Sequence, residues 1–437
     1  MKRINNSAIV LSLLIGMMYT NAQERKQLSL DEAVQLGIQN SKSLKIDAAK
    51  IEEATADLLE AKNRQLPELK VSASYLYLPM KPNVDIKLPG VSGAGGPEVH
   101  QVAFGSANLS VPIYSGGRIK YGIESAKYLV EASKLSTEND KVAIAYNVAQ
   151  AYNNLFKANQ SIKVLEENLT ASQKRDETFL KLENNGVIAR NDRLKANLQT
   201  SNIELQLLEA KNNYNIANIN MDLLLGLPET TEIEVDQNYV DESDDVKPVS
   251  FYLNEARENR KDLQALDQQR KAAELGTKSA KAENLPSIAF TGGYVAADIP
   301  KFLTIYNAVN VGVGVSYNLS NLWKENSSLK QSKAREMQLS ATNELLNDNI
   351  KLDVNREYQN SDYSKKRITV FEKAAVQANE NYRITKNKYD NGLATMTELL
   401  DADAAQIAAN VGVINAKADA ALAYRKLLQT TGTLTIK

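Results

Sequence analysis

The ten prolines of this 437-residue chain lie at positions 67, 79, 82, 89, 97, 112, 228, 248, 286 and 300. None falls within 113–227 or after 300. Proline costs about 3 kcal/mol in a helix interior, so these two windows are free to hold very long helices. Their richness in Ala, Leu, Glu, Lys, Gln and Asn agrees. The pattern predicts helices over about 29–64, 118–184 and 191–225, and again over about 250–283, 321–390 and 396–430. A helix over 118–184 would span roughly 100 Å, and two shorter helices end to end would match it. An apolar stripe does not stabilise such a helix alone, so these helices must pack side by side.

The two sets of helices are copies of each other. "LPELKVSASY" ending at Tyr75 recurs as "LPSIAFTGGY" ending at Tyr294. "NSKSL" (Asn40 to Leu44) recurs as "NRKDL" (Asn259 to Leu263). The segment "NNGVIARNDRLKAN" at 184–197 recurs as "DNGLATMTELLDAD" at 390–403. The period far exceeds the roughly 20–50 residues of a stacked solenoid repeat. Two homologous halves are expected, a first repeat over 23–228 and a second over 249–437. Between them, from Glu229 to Lys247, eight carboxylates stand against one lysine. That composition reads as a solvated acidic connector over 229–248.

Helix starts and strands can be placed within each half. Ser29 and Glu32 form an S-x-x-E capping box, which satisfies two of the unpaired N–H groups at a helix start. Between the first and second helix of each half lie two short runs of alternating pattern. Val309, Val311, Val313, Val315 and Tyr317 alternate with small or polar residues, and Ala103, Gly105, Ala107, Leu109 and Val111 do the same. Period two means a strand with one apolar face. Strands are expected at about 69–78 and 101–112, and at about 287–298 and 306–318. Two environments suit such strands, the lipid face of an outer-membrane barrel and a half-buried soluble sheet. Polar faces of small rather than charged residues, with tyrosines at 75, 77, 114, 294, 306 and 317, favour the membrane. Four strands cannot close a barrel, and an open edge is not tolerated in lipid, so protomers must pool strands.

Composition narrows the chemistry. Fifty-two basic side chains against 53 acidic ones leave no polybasic footprint for nucleic acid. The absence of cysteine excludes disulfides and thiolate chemistry. His100 is the only histidine, so the commonest general base is nearly missing. It falls in the long first hairpin loop and reads as a surface residue. Lys2 and Arg3, the apolar run Ala8 to Met18 and "YTNAQ" read as a signal peptide over 1–22.

In that frame the chain resembles the TolC-like outer-membrane efflux proteins. The residues that carry the resemblance are "LSLDEAVQLGIQNSKSL", "LPELKVSASY" with its repeat, "VPIYSGGRIKYGIESAK", "NNGVIARNDRLKA" and "KYDNGLATMTELLDA". The resemblance implies a mainly α fold with a small β part. It consists of duplicated helix–β-hairpin–helix halves whose long antiparallel coiled-coil hairpins form an α-barrel, plus four strands per protomer of a shared outer-membrane β-barrel. It implies a homotrimer in the outer membrane with a long periplasmic portion, no cofactor and no catalysis. The partners implied are outer-membrane lipid, a periplasmic adaptor and an inner-membrane pump. A periplasmic coiled-coil adaptor or structural protein without a barrel is the competing class.

The resemblance also assigns residues. Gly186, Val187, Ile188 and Ala189, with Gly392, Leu393 and Ala394, would be the adaptor-docking tips. Glu398 and Asp401, three apart and so on one helix face, would ring the pore constriction. Thr395 and Glu398 also read as a capping box, and both roles are compatible. Asp192 and Tyr389 match a hydrogen-bonded latch of the family. Ala394 replaces the arginine of a second latch, for which Arg190 or Arg193 would have to substitute.

Overall fold

The computed structural model describes residues 25–80, 99–237, 239–240, 246–300 and 303–435. The expected signal peptide, most of the first hairpin loop and the acids at 241–245 lie outside them. The fold is mainly helical. In chain order the elements are β1 (Arg25–Leu28), α1 (Leu30–Asn40), α2 (Lys42–Asn63), β2 (Glu68–Tyr77), β3 (Gln101–Tyr114), α3 (Arg118–Asn184) and α4 (Arg190–Leu225). There follow β4 (Glu232–Val235), α5 (Val249–Asn259), α6 (Lys261–Ala282), β5 (Ser287–Ile299), β6 (Leu303–Ser316), α7 (Ser327–Asp390) and α8 (Met396–Thr431). The helix–hairpin–helix order occurs twice.

Two corrections to the sequence reading concern the first helix of each half. The expected helix over 29–64 breaks at Ser41 (φ −58°, ψ 122°) into α1 and α2. The Ser41 hydroxyl accepts the Leu44 N–H at 3.3 Å and starts α2. The expected helix over 250–283 breaks at Arg260 (φ −65°, ψ 117°) into α5 and α6. Both breaks fall inside the repeated "NSKSL/NRKDL" motif. Each is held by the last helix of its own repeat. Asn40 Nδ2 donates to the carbonyl of Leu225 at 2.7 Å, and Arg260 Nη1 donates to that of Thr430 at 3.2 Å. The final carbonyls of a helix have no partner within it, so a donor at the break satisfies two requirements at once.

A third correction concerns α7, which starts at Ser327 rather than near 321. Leu319–Leu322 forms a 3₁₀ turn in which Asn318 Oδ1 accepts the Ser320 N–H at 3.2 Å. Asn326 Oδ1 then accepts the Leu329 N–H at 2.8 Å and caps α7.

The connector is the fourth correction. Part of it is a strand rather than a solvated link: β4 pairs in parallel with β1, Arg25 opposite Glu232 and Leu28 opposite Val235. Ile233 is fully buried. Asn218 Nδ2 donates to the Thr231 carbonyl at 2.6 Å, and Asn218 Oδ1 accepts the Ile233 N–H at 2.9 Å. The buried Tyr152 hydroxyl donates to the Leu28 carbonyl at 2.9 Å and accepts the Asp236 N–H at 2.7 Å. The acids of "EIEV" alternate with apolar residues, so charge and burial take opposite faces of one strand.

The chain divides into two compact units. One comprises residues up to Ile46, Thr137–Lys261 and Asn347–Lys437. Its largest core gathers Val34, Val148, Tyr152, Leu155, Met221, Leu225 and Ile233 around the β1–β4 pair.

The other unit comprises Asp47–Ser136 and Asp262–Leu346. It holds an antiparallel four-stranded sheet in the order β2-β3-β5-β6, so the two hairpins pair with each other through β3 and β5. The register places Val71, Ala107, Tyr294 and Val309 in one cross-strand row, with Leu69, Leu109, Gly292 and Val311 in the next. Lys70, Asn108, Gly293 and Asn310 form a row of the opposite face. One face is therefore apolar and the other polar. The apolar one lies open: Val71 is 76 % and Val311 75 % exposed. Strands β2 and β6 each have a single neighbour, which leaves a row of unpaired backbone groups along each edge.

Candidate functional site at the two hairpin turns

Helix α3 ends, and so does α7, with the same backbone device. Gly186 and Gly392 both adopt φ 72°, the left-handed conformation. Gly186 N–H donates to the Glu183 carbonyl and Val187 N–H to that of Leu182, each at 2.8 Å. Gly392 N–H donates to Tyr389 at 2.9 Å and Leu393 N–H to Lys388 at 2.8 Å. Each pair closes a Schellman motif, which satisfies carbonyls that the ending helix leaves free. Helix starts differ between the copies. Thr395 Oγ1 accepts the Glu398 N–H at 3.2 Å while Glu398 Oε2 accepts the Thr395 N–H at 2.6 Å, completing the capping box of α8. Ala189, at the same place before α4, has no side chain able to cap.

The two turns come together. Phe179, Ala196, Met396 and Leu399 are buried in one cluster, with Leu182, Ile188, Tyr382, Tyr389 and Leu400 packed around it. All four helices of the two hairpins contribute. Of the expected tip residues, Gly186, Val187, Ala189, Gly392 and Leu393 are exposed, Leu393 to 77 %. Ile188 instead turns inward to that cluster, and Ala394 is half-buried.

The acids also separate by environment. Glu398 and Asp401 are both exposed, on the side of α8 away from Leu399. The Thr395 N–H, and then its hydroxyl, hold the Glu398 carboxyl below the ordinary glutamate range. That cap occupies Oε2, so the two acids share a face but only Asp401 is uncommitted to the helix start.

Tyr389 rests edge-on against Phe179, ring centres 5.8 Å apart. Burial, and then the Asp192 charge, raise its phenol pKa above the usual value. Asp192 itself pairs with Lys195 at 3.5 Å. Tyr389 and Asp192 thus feel each other's field, but no hydrogen bond joins them within this chain. Arg193 pairs with Glu183 across the first turn.

A stronger link between the hairpins lies in residues that sequence reasoning missed. Arg175 Nη2 on α3 donates to Asp403 Oδ2 on α8 at 2.6 Å. Their side chains are only 12 % and 7 % exposed. Arg175 Nη1 also reaches the Tyr382 hydroxyl on α7 at 3.3 Å, and Ser172 on α3 shares a hydrogen bond of 2.7 Å with Thr200 on α4. Burial opposes the Arg175 charge, and the bonded Asp403 carboxylate overrides it, so its pKa lies above the arginine norm. A second connection has the same plan. Asp419 on α8 takes Lys157 of α3 at 2.8 Å and Arg367 of α7 at 3.3 Å. The signal for Asp403 was available. Leu399, Asp403 and Ile407 are four apart and all buried, an acid set into an apolar stripe.

Among the described residues no group of three or more His, Cys, Asp or Glu side chains could hold a metal ion. None of their helices is long and apolar enough to cross a membrane.

Comparison with known proteins places this geometry. Solved structures of similar fold include VceC of Vibrio cholerae (TM-score 0.77, 18% identity, covering 92% of this chain and 96% of that one). They also include the CmeC channel of Campylobacter jejuni (TM-score 0.75, 18% identity, 93% and 86%). The open-state MtrE channel of Neisseria gonorrhoeae is similar too (TM-score 0.74, 18% identity, 93% and 89%). Curated protein sequences give no match. The sequence profile of the outer membrane efflux proteins matches residues 33–227 and 252–433, both halves of the duplication. With most of its length matched by that profile, the chain belongs to the outer membrane efflux protein family.

Proposed function

We propose that this chain, an outer-membrane protein of a channel family rather than an enzyme, is the exit duct of a multi-component efflux or secretion system. It is passive in itself and coupled to a periplasmic adaptor and an inner-membrane pump. CmeC and MtrE are outer-membrane channels, and the same role is assigned here. The observation that carries the reading is the four-stranded sheet, with one continuous exposed apolar face and two open edges. Bacterial outer-membrane barrels have about eight strands or more, and lipid tolerates no open edge. One protomer's four strands meet neither requirement, so copies must pool their strands, and the resemblance to the TolC-like channels makes the working unit a homotrimer with four strands from each copy. A periplasmic adaptor would need no lipid-facing band.

The hairpin turns supply the functional end. Exposed Val187 and Leu393, carried on Gly186 and Gly392 with Ala189 and Ala394 beside them, form the surface offered to the adaptor, with Ile188 supporting it from below. Glu398 and Asp401 line the constriction, so that three copies set six carboxylates around it, an arrangement that favours cations. Tyr389 and Asp192 form a latch that closes between neighbouring hairpins.

Purified protein added to planar bilayers tests the reading directly. Stable, cation-selective conductance is expected, from a species that requires detergent for extraction and migrates as a trimer. Release of the mature protein by osmotic shock without detergent, with no conductance, would sink it.

A further inference from the structure

The two repeats pass from sheet to helix in different ways. In the first, β3 ends at Tyr114 and α3 begins at Arg118, with Gly116 (φ 64°) and Gly117 (φ 87°) making a tight turn. In the second, β6 ends at Ser316 and α7 begins only at Ser327. The extra length contains the 3₁₀ turn Leu319–Leu322 and Trp323, the only tryptophan of the chain. The connection does not require these residues, since the first repeat joins the same elements without them.

The extra residues are costly in water. Trp323 is 73 % exposed and Leu319 58 %, and Tyr317 is 41 % exposed. Large apolar side chains such as an indole and a leucine gain by leaving water. The turn itself is well made, with the Trp323 N–H donating to the Ser320 carbonyl at 3.3 Å, so a poorly formed loop does not account for their exposure. Among the described residues the Trp323 indole N–H has no partner, and exposed Lys324 follows it. The segment continues from the stripe Val309, Val311, Val313 and Val315, each more than 60 % exposed along β6. A ring with an apolar body and one unpaired N–H, beside a lysine and at the end of an apolar strand, matches the boundary between acyl chains and headgroups. Tryptophan concentrates at that depth because both of its requirements are met there, and lysine reaches from it to the polar layer.

We propose that Leu319 and Trp323 form an interfacial anchor, seated in the phospholipid headgroup layer at the end of the sheet where the helices begin. Three copies would set three such anchors around the barrel and fix its depth. This inference rests on the outer-membrane channel reading. A single tryptophan makes it directly measurable.

The test uses the full-length mature protein in phosphatidylcholine vesicles, with flotation as a separate check of insertion and Trp323→Phe as the blank. Vesicles brominated near the ester end of the acyl chain should quench the tryptophan emission strongly. Vesicles brominated near the methyl end should quench it less, and aqueous iodide should leave it unchanged. If the protein floats but iodide quenches and bromolipids do not, Trp323 faces water and the anchor is wrong. If it floats and neither quencher acts, Trp323 is buried between copies, and the anchor is equally wrong. If it does not float, the channel reading itself fails, and the anchor fails with it.

Discussion

Arg175 and Asp403 face each other at 2.6 Å from helices of different hairpins, with side chains almost closed to solvent. Removing one partner of a buried ion pair typically costs about 3–5 kcal/mol, because the other charge is left desolvated and alone. Asp403→Asn is therefore expected to lower the unfolding midpoint of the detergent-solubilised protein strongly. Arg175→Leu with Asp403→Leu should recover much of that loss. Additivity of the two single changes, measured by a double-mutant cycle, would show that the pair does not couple the hairpins.

Asp222 gives a pH dependence. It is fully buried, accepts Asn218 Nδ2 at 2.9 Å through Oδ2, and among the described residues has no partner for Oδ1. Burial first, and the Glu229 charge second, push its carboxyl from 3.8 up to about 6. The folded protein thus holds this proton more tightly than the unfolded chain. The resulting stability is complete below about pH 4 and lost as pH rises through about 6, worth at most about 3 kcal/mol. Asp222→Asn keeps the acceptor for Asn218 without the charge. It should raise the melting temperature at pH 8 and leave it nearly unchanged at pH 4. An unchanged melting temperature at pH 8 would refute the assignment.

How much of this was legible in the sequence depended on the range of the interaction. The long helices, the four strands and the paired glycine turns follow from prolines, period-two runs and Asn-Gly or Asp-Asn-Gly signals, all local. The breaks at Ser41 and Arg260 do not, because the carbonyls that Asn40 and Arg260 bond there, those of Leu225 and Thr430, lie 170 or more positions away. Strand β4 was hidden for a related reason. Its acids dominate the composition, and only pairing with β1 separates Ile233 and Val235 from them. Arg175 lacked any local mark, whereas Asp403 had one that the neighbouring Glu398 and Asp401 obscured.

The turn glycines are needed for conformation rather than space. A Cβ added at Gly186 or Gly392 would meet nothing within 4 Å, yet both residues adopt φ 72°. Alanine there costs about 1–2 kcal/mol by backbone strain alone. Gly186→Ala or Gly392→Ala should lower thermal stability by that amount, and asparagine at either place by less. Equal effects of alanine and asparagine would argue for a steric cause instead.

Charge at the second turn is testable by conductance. Glu398→Gln retains a side chain able to cap α8 while removing its charge. With Asp401→Asn added, the cation selectivity in planar bilayers should fall, together with sensitivity to multivalent cations. If reversal potentials are unchanged, Glu398 serves the helix start alone and neither acid lines the constriction.

Docking at the tips separates from folding. Val187→Asp and Leu393→Asp alter exposed side chains outside the buried cluster around Phe179. Loss of cross-linking to the cognate adaptor is expected at unchanged melting temperature and trimer content. Retained cross-linking would move the docking surface elsewhere.

The bonds from Asn40 to Leu225 and from Arg260 to Thr430 close each half of the chain on itself, its opening helix locked to its own final turn. Each half thus ties its own first helix to its own last one, while the β3–β5 pairing and the Arg175–Asp403 pair bind it to its sibling. The tether between the halves has a further use, since part of it folds into strand β4. The halves are then free to diverge in charge at one turn and in lipid contact at one junction while the shared frame stays intact.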